Sequence, residues 1–323
     1  MIAYTQFRCA LARIASGAAA LALAMPALAQ ATRVVVPGPP GGFADIIVRV
    51  ASEPLQVSLG NPVVIEHRPG AGGVVGLEFL KNARPDGATV AMINLSAAAN
   101  ETLVKGKSYA LLADFEPVGK YAWLANVLIV NPALGVDSVA ALLETLKRQG
   151  RASFSSGGVG SPGHLTGELF RARTGLALTH VPYKGAPPAV TAVMAGEVAL
   201  MFATASSAIG QVRGGKLRAL AVTTSERLGQ LPEVPTLAEA GLGGINVTDW
   251  AGLVAPKGTP PEARERVHRA FATAFTDPGV QERLRGATVL PLAKPLDARE
   301  FGAFLQAEID KWGKVVREAG IAQ

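Results

Sequence analysis

Val34-Val35-Val36-Pro37-Gly38-Pro39-Pro40-Gly41-Gly42-Phe43-Ala44-Asp45 is the stretch whose reading decides the fold class. Three β-branched residues read as a buried strand. The Pro/Gly run that follows is a tight turn, and a helix begins near Ala44. Strand, short turn and helix form the repeating unit of α/β layering. The same turn has chemistry. Gly41 and Gly42 lack Cβ, so an anion can approach their N–H groups closely. A helix start adds unbonded N–H donors and the positive end of the helix dipole. Such a loop suits a carboxylate or a phosphate, and it equally suits a βα turn without a ligand. Asp45 reads either as a charge in the first helical turn or as a ligand contact.

A second stretch has the same form: Ala152-Ser153-Phe154-Ser155-Ser156-Gly157-Gly158-Val159-Gly160-Ser161-Pro162-Gly163-His164. Here Ser155, Ser156 and Ser161 add hydroxyl donors to the backbone N–H groups. Two such loops, one in each half of the chain, suit the two ends of one small anion. His164 reads as a helix-entry residue, because no carboxylate partner can be assigned to it.

Outward from these stretches, β-rich runs alternate with helical patterns. Strands are predicted at Arg33–Val36, Val63–Glu66, Thr89–Ile93, Val127–Val130, Ala152–Ser155, His180–Pro182, Val198–Phe202, Arg218–Val222, Gly252–Ala255 and Val289–Pro291. Helices are predicted to start near Ala44, Gly73, Val139, His164, Ala186, Ser206, Pro261 and Asp297. The last is the clearest: Phe301, Phe304, Leu305, Ile309, Trp312, Val315, Val316 and Ala319 share one face, which reads as core. Asp297 and Glu300 form its expected capping box. At ~150 residues per domain the length suggests two domains. No long linker separates them, so the chain is expected to cross between them more than once.

Composition narrows the function. The 323-residue chain is 49% hydrophobic and 17% charged, which excludes a disordered protein. One cysteine and four scattered histidines argue against a metal or iron–sulfur centre. Residues 1–29 read as a cleaved secretory signal peptide: Arg8 and Arg13, the apolar run Ile14–Met25, then Ala27-Leu28-Ala29. Cys9 leaves with that segment. The net charge of +6 is dispersed without aromatic interleaving, so nucleic acid is not expected as a partner.

Enzyme motifs are absent or broken. Gly70-Ala71-Gly72-Gly73-Val74-Val75 follows a strand but has valine where a dinucleotide loop needs its last glycine. No phosphate-binding G-x-x-x-x-G-K or zinc H-E-x-x-H pattern occurs. Around Ser161 a nucleophile elbow fails, because Val159 stands where a glycine is needed. No catalytic residue, cofactor or metal is expected.

The ordered motifs resemble a family, the tripartite tricarboxylate transporter solute receptors or Bug/TctC-like periplasmic binding proteins. The residues that carry the resemblance begin with Val35–Gly42 and Asp45, then Glu66-His67-Arg68-Pro69-Gly70-Ala71-Gly72-Gly73 and Pro85-Asp86-Gly87. They continue through Asp114–Val118, His180–Gly185, Lys216–Thr223, Leu231–Thr236 and Trp312–Val316. The resemblance implies a type II periplasmic-binding-protein fold, an α/β fold of two lobes joined by two crossing strands with the ligand in the cleft. Lobe 1 would be 30–127 plus 254–323 and lobe 2 would be 128–253. It further implies a periplasmic monomer that binds a small carboxylate by hinge closure and serves large and small membrane permease subunits. Carried over by position, the site comprises Gly41, Gly42, Phe43, Asp45 and Ser96 from lobe 1. Ser155, Ser156, Gly160, Ser161, Tyr183 and Thr204 come from lobe 2. Departures from the family pattern at Phe43, Val159, Pro162 and Ala203 favour a non-amino carboxylate, a mono- or aromatic acid. His67 stands where Asn is usual and reads as structural. A carboxylate sensor feeding a two-component system is the alternative, and an exported hydrolase or lyase a distant one.

Overall fold

The computed structural model describes residues 31–322. The signal segment read over 1–29 lies outside them. In chain order the strands are β1 (Thr32–Val36), β2 (Val63–His67), β3 (Thr89–Ile93), β4 (Phe115–Val130), β5 (Ala152–Ser156), β6 (Leu178–Pro182), β7 (Leu200–Thr204), β8 (Arg218–Val222), β9 (Thr248–Pro256) and β10 (Val289–Leu296). The helices are α1 (Phe43–Leu59), α2 (Val74–Lys81), α3 (Leu95–Leu103), α4 (Leu111–Asp114), α5 (Val139–Gln149), α6 (Pro162–Thr174), α7 (Ala186–Met194), α8 (Ala205–Arg213), α9 (Pro261–Thr276), α10 (Pro278–Gly286) and α11 (Ala298–Ala319).

The sheet runs in the order β2-β1-β3-β9-β4-β7-β5-β6, with β8 and β10 also on β4. It contains the same local pattern twice. β1 pairs in parallel with β2 and β3. β5 pairs in parallel with β6 and β7. Each half therefore has its first strand in the middle, and the chain winds outward from it in both directions. In open α/β sheets the crevice at such a reversal of strand order, beyond the C-terminal strand ends, is where ligands bind.

β4 and β9 connect the halves. β9 pairs antiparallel with β3 and with the first part of β4. The second part of β4 pairs with β7 and β8. Sequence reading placed only Val127–Val130 in this strand. Its earlier residues are broken by register shifts at Pro117/Gly119 and Lys120/Ala122, which interrupt the alternation that a strand should show.

The core lies in two layers, one on each side of the sheet. The C-terminal helix α11 behaves as its pattern requires. Asp297 accepts from the Glu300 N–H and the Glu300 carboxylate accepts from the Asp297 N–H, closing the capping box. Phe301, Leu305, Trp312 and Val316 are buried. The Glu308 carboxylate accepts from the Trp250 and Trp312 indole N–H groups at 2.9 and 3.0 Å, tying α11 to β9. No helix among the described residues is long and apolar enough to cross a membrane.

Candidate functional site: a two-walled cleft

Two connected spaces occupy the crevice that the strand order requires. A chamber of about 170 Å³ adjoins a cleft of about 740 Å³. Pro37, Gly38, Pro39, Gly72, Gly73 and Asn94 border both. Gly157, Val159, Ser161 and Lys184 form the opposite wall of the cleft.

The chamber is closed at one end by the start of α1, through Gly42, Phe43, Ala44 and Asp45. Val36, Leu77, Met92 and Ile93 make the rest of it largely apolar. Asp45 is only 3% exposed and is fully engaged. It accepts from the Gly41 N–H at 2.8 Å, from Arg49 at 2.9 Å, and bonds His67 at 2.8 Å. Burial alone would raise its pKa. The Gly41 N–H, Arg49 and His67 outweigh that and hold the carboxyl below its ordinary value. Asp45 is thus a knot for the loop, and His67 is structural as expected.

That knot corrects one detail of the sequence reading. The Gly41 N–H points to Asp45 and the Gly42 N–H donates to Pro39 C=O at 3.2 Å, so neither is open to an anion. Gly41 is needed instead for its φ of +75°, which turns its N–H back toward Asp45. The open donors are one step further on. Gly42 caps α1 without a side chain, and the N–H groups of Phe43, Ala44 and Asp45 have no hydrogen-bond partner among the described residues.

The second loop also differs in detail. Ser155 Oγ donates to Ala189 C=O, and Ser156 Oγ bonds His180 Nε2 at 2.7 Å. Both serines are fully buried and do not line the cleft. Ser161 does line it and caps α6, its Oγ accepting from the His164 N–H. The His164 ring accepts from the Gly160 N–H at 3.1 Å and stacks on His180 with centroids 3.9 Å apart. Tyr183 and Thr204 lie beside the cleft rather than on it. Tyr183 OH reaches Glu197, and Thr204 Oγ1 bonds Ser207. Ser96, carried over from the resemblance, lines the cleft.

Several lining residues were not anticipated from sequence. The Gly70–Gly73 loop, read as a failed dinucleotide motif and as part of the family resemblance but not as a site, forms cleft wall. Its run of positive φ from Gly70 to Gly73 includes Ala71 at φ 45°. Asn94 caps α3, a helix that sequence reading missed. Asn100 is 1% exposed and donates from Nδ2 to Gly72 C=O at 3.1 Å. A carbonyl can only accept, so this bond fixes the amide orientation. Asn100 Oδ1 then has no donor. It faces Gly160 of the other wall, where an added Cβ would lie 3.3 Å away.

Beneath the cleft, Asp249 of β9 accepts from the Leu95 and Trp250 N–H groups and from Asn94 Nδ2. Burial pushes its pKa up to about 7 despite those bonds. Burial lowers His164 to about 3, helped by His180 and Arg171, and lowers His180 to about 4. The two effects oppose each other. The Asp249 contribution is full below about pH 4, its ordinary value, and is lost as pH rises through about 7. The histidine contributions are full above their ordinary value of 6.5 and are lost as pH falls toward 4 and 3. Two groups against one make stability fall on acidification from about pH 6.5 to 5, above the range in which the carboxylates held low begin to titrate. Asp249→Asn removes the opposing group, so urea unfolding at stepped pH should show a fall about twice as steep. An unchanged slope would exclude Asp249 as a titrating group in that window.

Comparisons with known proteins agree with this geometry. Residues 47–321 match the family model of the tripartite tricarboxylate transporter family receptor, TctC. Protein BugT of Bordetella pertussis is 38% identical over 297 residues, covering 90% of each chain. The solved periplasmic binding protein BugD superposes with a TM-score of 0.83 at 29% identity, covering 90% of this chain and 98% of its own. R. palustris Rpa4515 with adipate gives 0.83 at 31% identity, covering 90% and 97%. MatC of Rhodopseudomonas palustris with bound malate gives 0.81 at 29%, covering 88% and 99%. Of these relatives BugD is a periplasmic binding protein, and Rpa4515 and MatC hold small carboxylates. The fold of this chain is theirs, two parallel half-sheets joined through β4 and β9 around a cleft, and the chain belongs to the Bug/TctC family of solute receptors.

Proposed function

We propose that this protein captures a small organic carboxylate in its cleft and delivers it to a tripartite tricarboxylate-type membrane transporter. The observation that carries the reading is the start of α1. Three successive N–H groups without partners open into a chamber beside the cleft, at the positive end of a 17-residue helix. A carboxylate there replaces water on aligned donors, in charge-assisted bonds about twice as strong as neutral ones. Related receptors that hold adipate and malate support this ligand class. The two half-sheets act as lobes, 30–127 plus 254–323 and 128–253, hinging about β4 and β9. Closure adds the contacts of the second wall and shifts the open–closed equilibrium. The secretory pattern of residues 1–29 and the periplasmic relatives support work in the periplasm.

A thermal-shift screen of small organic acids, sugars and cations tests the ligand class. Carboxylates should raise Tm by roughly 5 °C or more at 100-fold excess over Kd, since saturation at that level contributes about 2.7 kcal/mol. Small-angle scattering should show compaction with the same compounds. Stabilisation by sugars or cations alone would overturn the reading. Delivery is tested by uptake: deleting the gene should abolish transport of the stabilising acid.

A further inference from the structure

We propose that the chamber at the start of α1 selects acids whose carbon next to the carboxyl carries an apolar group of about ring size and no hydroxyl or amino group. Met92 and Leu77 are the specificity-determining residues. The inference rests on the carboxylate reading above and narrows it by what the chamber accepts beside the carboxylate.

The chamber and the cleft differ in chemistry. Ser96, Asn100, Ser161 and Lys184 bring polar side chains to the cleft. Among the described residues, only two polar side chains line the chamber, Asp45 and Asn94. Both are committed elsewhere. Asp45 is taken up by Arg49, His67 and the Gly41 N–H. Asn94 Oδ1 accepts from the Ser96 N–H at 3.2 Å, and Asn94 Nδ2 donates to Asp249 at 3.2 Å. A hydroxyl or ammonium in the chamber therefore gives up its water and finds no free side-chain partner. The N–H groups of α1 are donors only, so they serve a carboxylate and offer nothing to an ammonium.

The remaining walls are apolar and belong to the core. Val36, Leu77, Met92 and Ile93 line the chamber and are almost fully buried. They come from β1, α2 and β3, and β1 and β3 pair directly. These walls are therefore set by the sheet and the helix packed on it, not by a loop. Their side chains interdigitate with the two core layers, so they keep their shape when a ligand enters. An apolar cavity of about 150 Å³ is large enough for a benzene ring. This chamber measures about 170 Å³. The start of α1 forms one end of the same chamber, through Phe43, Ala44 and Asp45. A carboxylate bonded there leaves its neighbouring carbons among Leu77, Met92 and the other apolar walls. Polar groups on the ligand belong farther out, where the chamber opens into the cleft.

The test uses phenylacetate, mandelate and phenylglycine, which share a ring and differ only in the hydrogen, hydroxyl or ammonium beside the carboxyl. Acetate lacks the ring, and adipate is the acid that the relative Rpa4515 holds. Each is titrated calorimetrically into the wild type, Met92→Gln and Leu77→Phe. In the wild type phenylacetate should bind at least about 10-fold tighter than mandelate or phenylglycine, the scale of one desolvated polar group without a partner. It should bind at least about 30-fold tighter than acetate, from burial of the ring. Met92→Gln brings an amide into the chamber at similar length and should narrow the phenylacetate–mandelate ratio to within about 3-fold. Leu77→Phe takes up chamber space and should lower the phenylacetate–acetate ratio at least about 10-fold. Mandelate, phenylglycine or acetate binding the wild type as tightly as phenylacetate overturns the inference and leaves carboxylate capture standing. So does adipate binding where phenylacetate does not. The wild-type ratios decide the inference even if a variant does not fold. Failure of every acid to bind, adipate included, sinks carboxylate capture itself, and this inference with it.

Discussion

Gly160→Val is expected to weaken carboxylate binding by about 5- to 100-fold while the chain still folds. Gly160 sits at φ +76°, a conformation that costs an L-residue about 1–2 kcal/mol. A Cβ there would lie 2.8 Å from Leu103 Cδ2 and 3.3 Å from Asn100 Oδ1, both on the opposite wall. The loop cannot retreat easily, because the Gly160 N–H is held by His164 on its own side. On the proposed hinge these contacts vanish when the walls part, so the overpacking penalty falls on the closed arrangement. Overpacking of about 1–3 kcal/mol lowers the population of the binding-competent state by up to about 100-fold, and the apparent Kd rises in proportion. Titration calorimetry reads the affinity, and scattering reads the lost compaction. Wild-type affinity with normal compaction would show that the meeting of these walls is no part of binding. Gly160 thus acts by its lack of a side chain.

Glu308→Leu is expected to cost about 2–6 kcal/mol of stability. One carboxylate oxygen accepts from two indoles, those of Trp250 in β9 and Trp312 in α11, and both rings are fully buried. Leucine fills a similar space but leaves two N–H donors without acceptors, at about 1–3 kcal/mol each. Glu308→Gln keeps a carbonyl oxygen and should recover most of the loss. Urea unfolding gives the comparison, with an unchanged slope as the sign that only stability has moved. A loss below about 1 kcal/mol in Glu308→Leu would mean that the indoles find other acceptors.

The strand–loop–helix units were legible in sequence because each joins a short β-branched run to a glycine turn. Val34–Asp45 and Ala152–His164 both fold that way. What escaped depended on partners distant in sequence. The hydroxyls of Ser155 and Ser156 turn inward because Ala189 and His180 wait there. The Gly41 and Gly42 N–H groups look free in sequence, but Asp45 and Pro39 claim them once the loop closes. Helix α3 escaped for another reason. Leu95 through Asn100 are all buried, so the segment has no polar face and no period to detect. Lys184 was legible only as part of the His180–Gly185 motif; folding sets it at the cleft.

If the two walls part as proposed, Asn100 would give the empty receptor a built-in reluctance to stay shut. Its Oδ1 is hidden against Gly160 with no donor, while its Nδ2 is tied to Gly72. A buried acceptor without a partner costs about 1–3 kcal/mol, and water relieves that cost as soon as the walls separate. The amide is a weak spring set across the mouth of the cleft. On the proposed closure, a bound solute would have to outweigh it, so that a closed receptor would be a filled one.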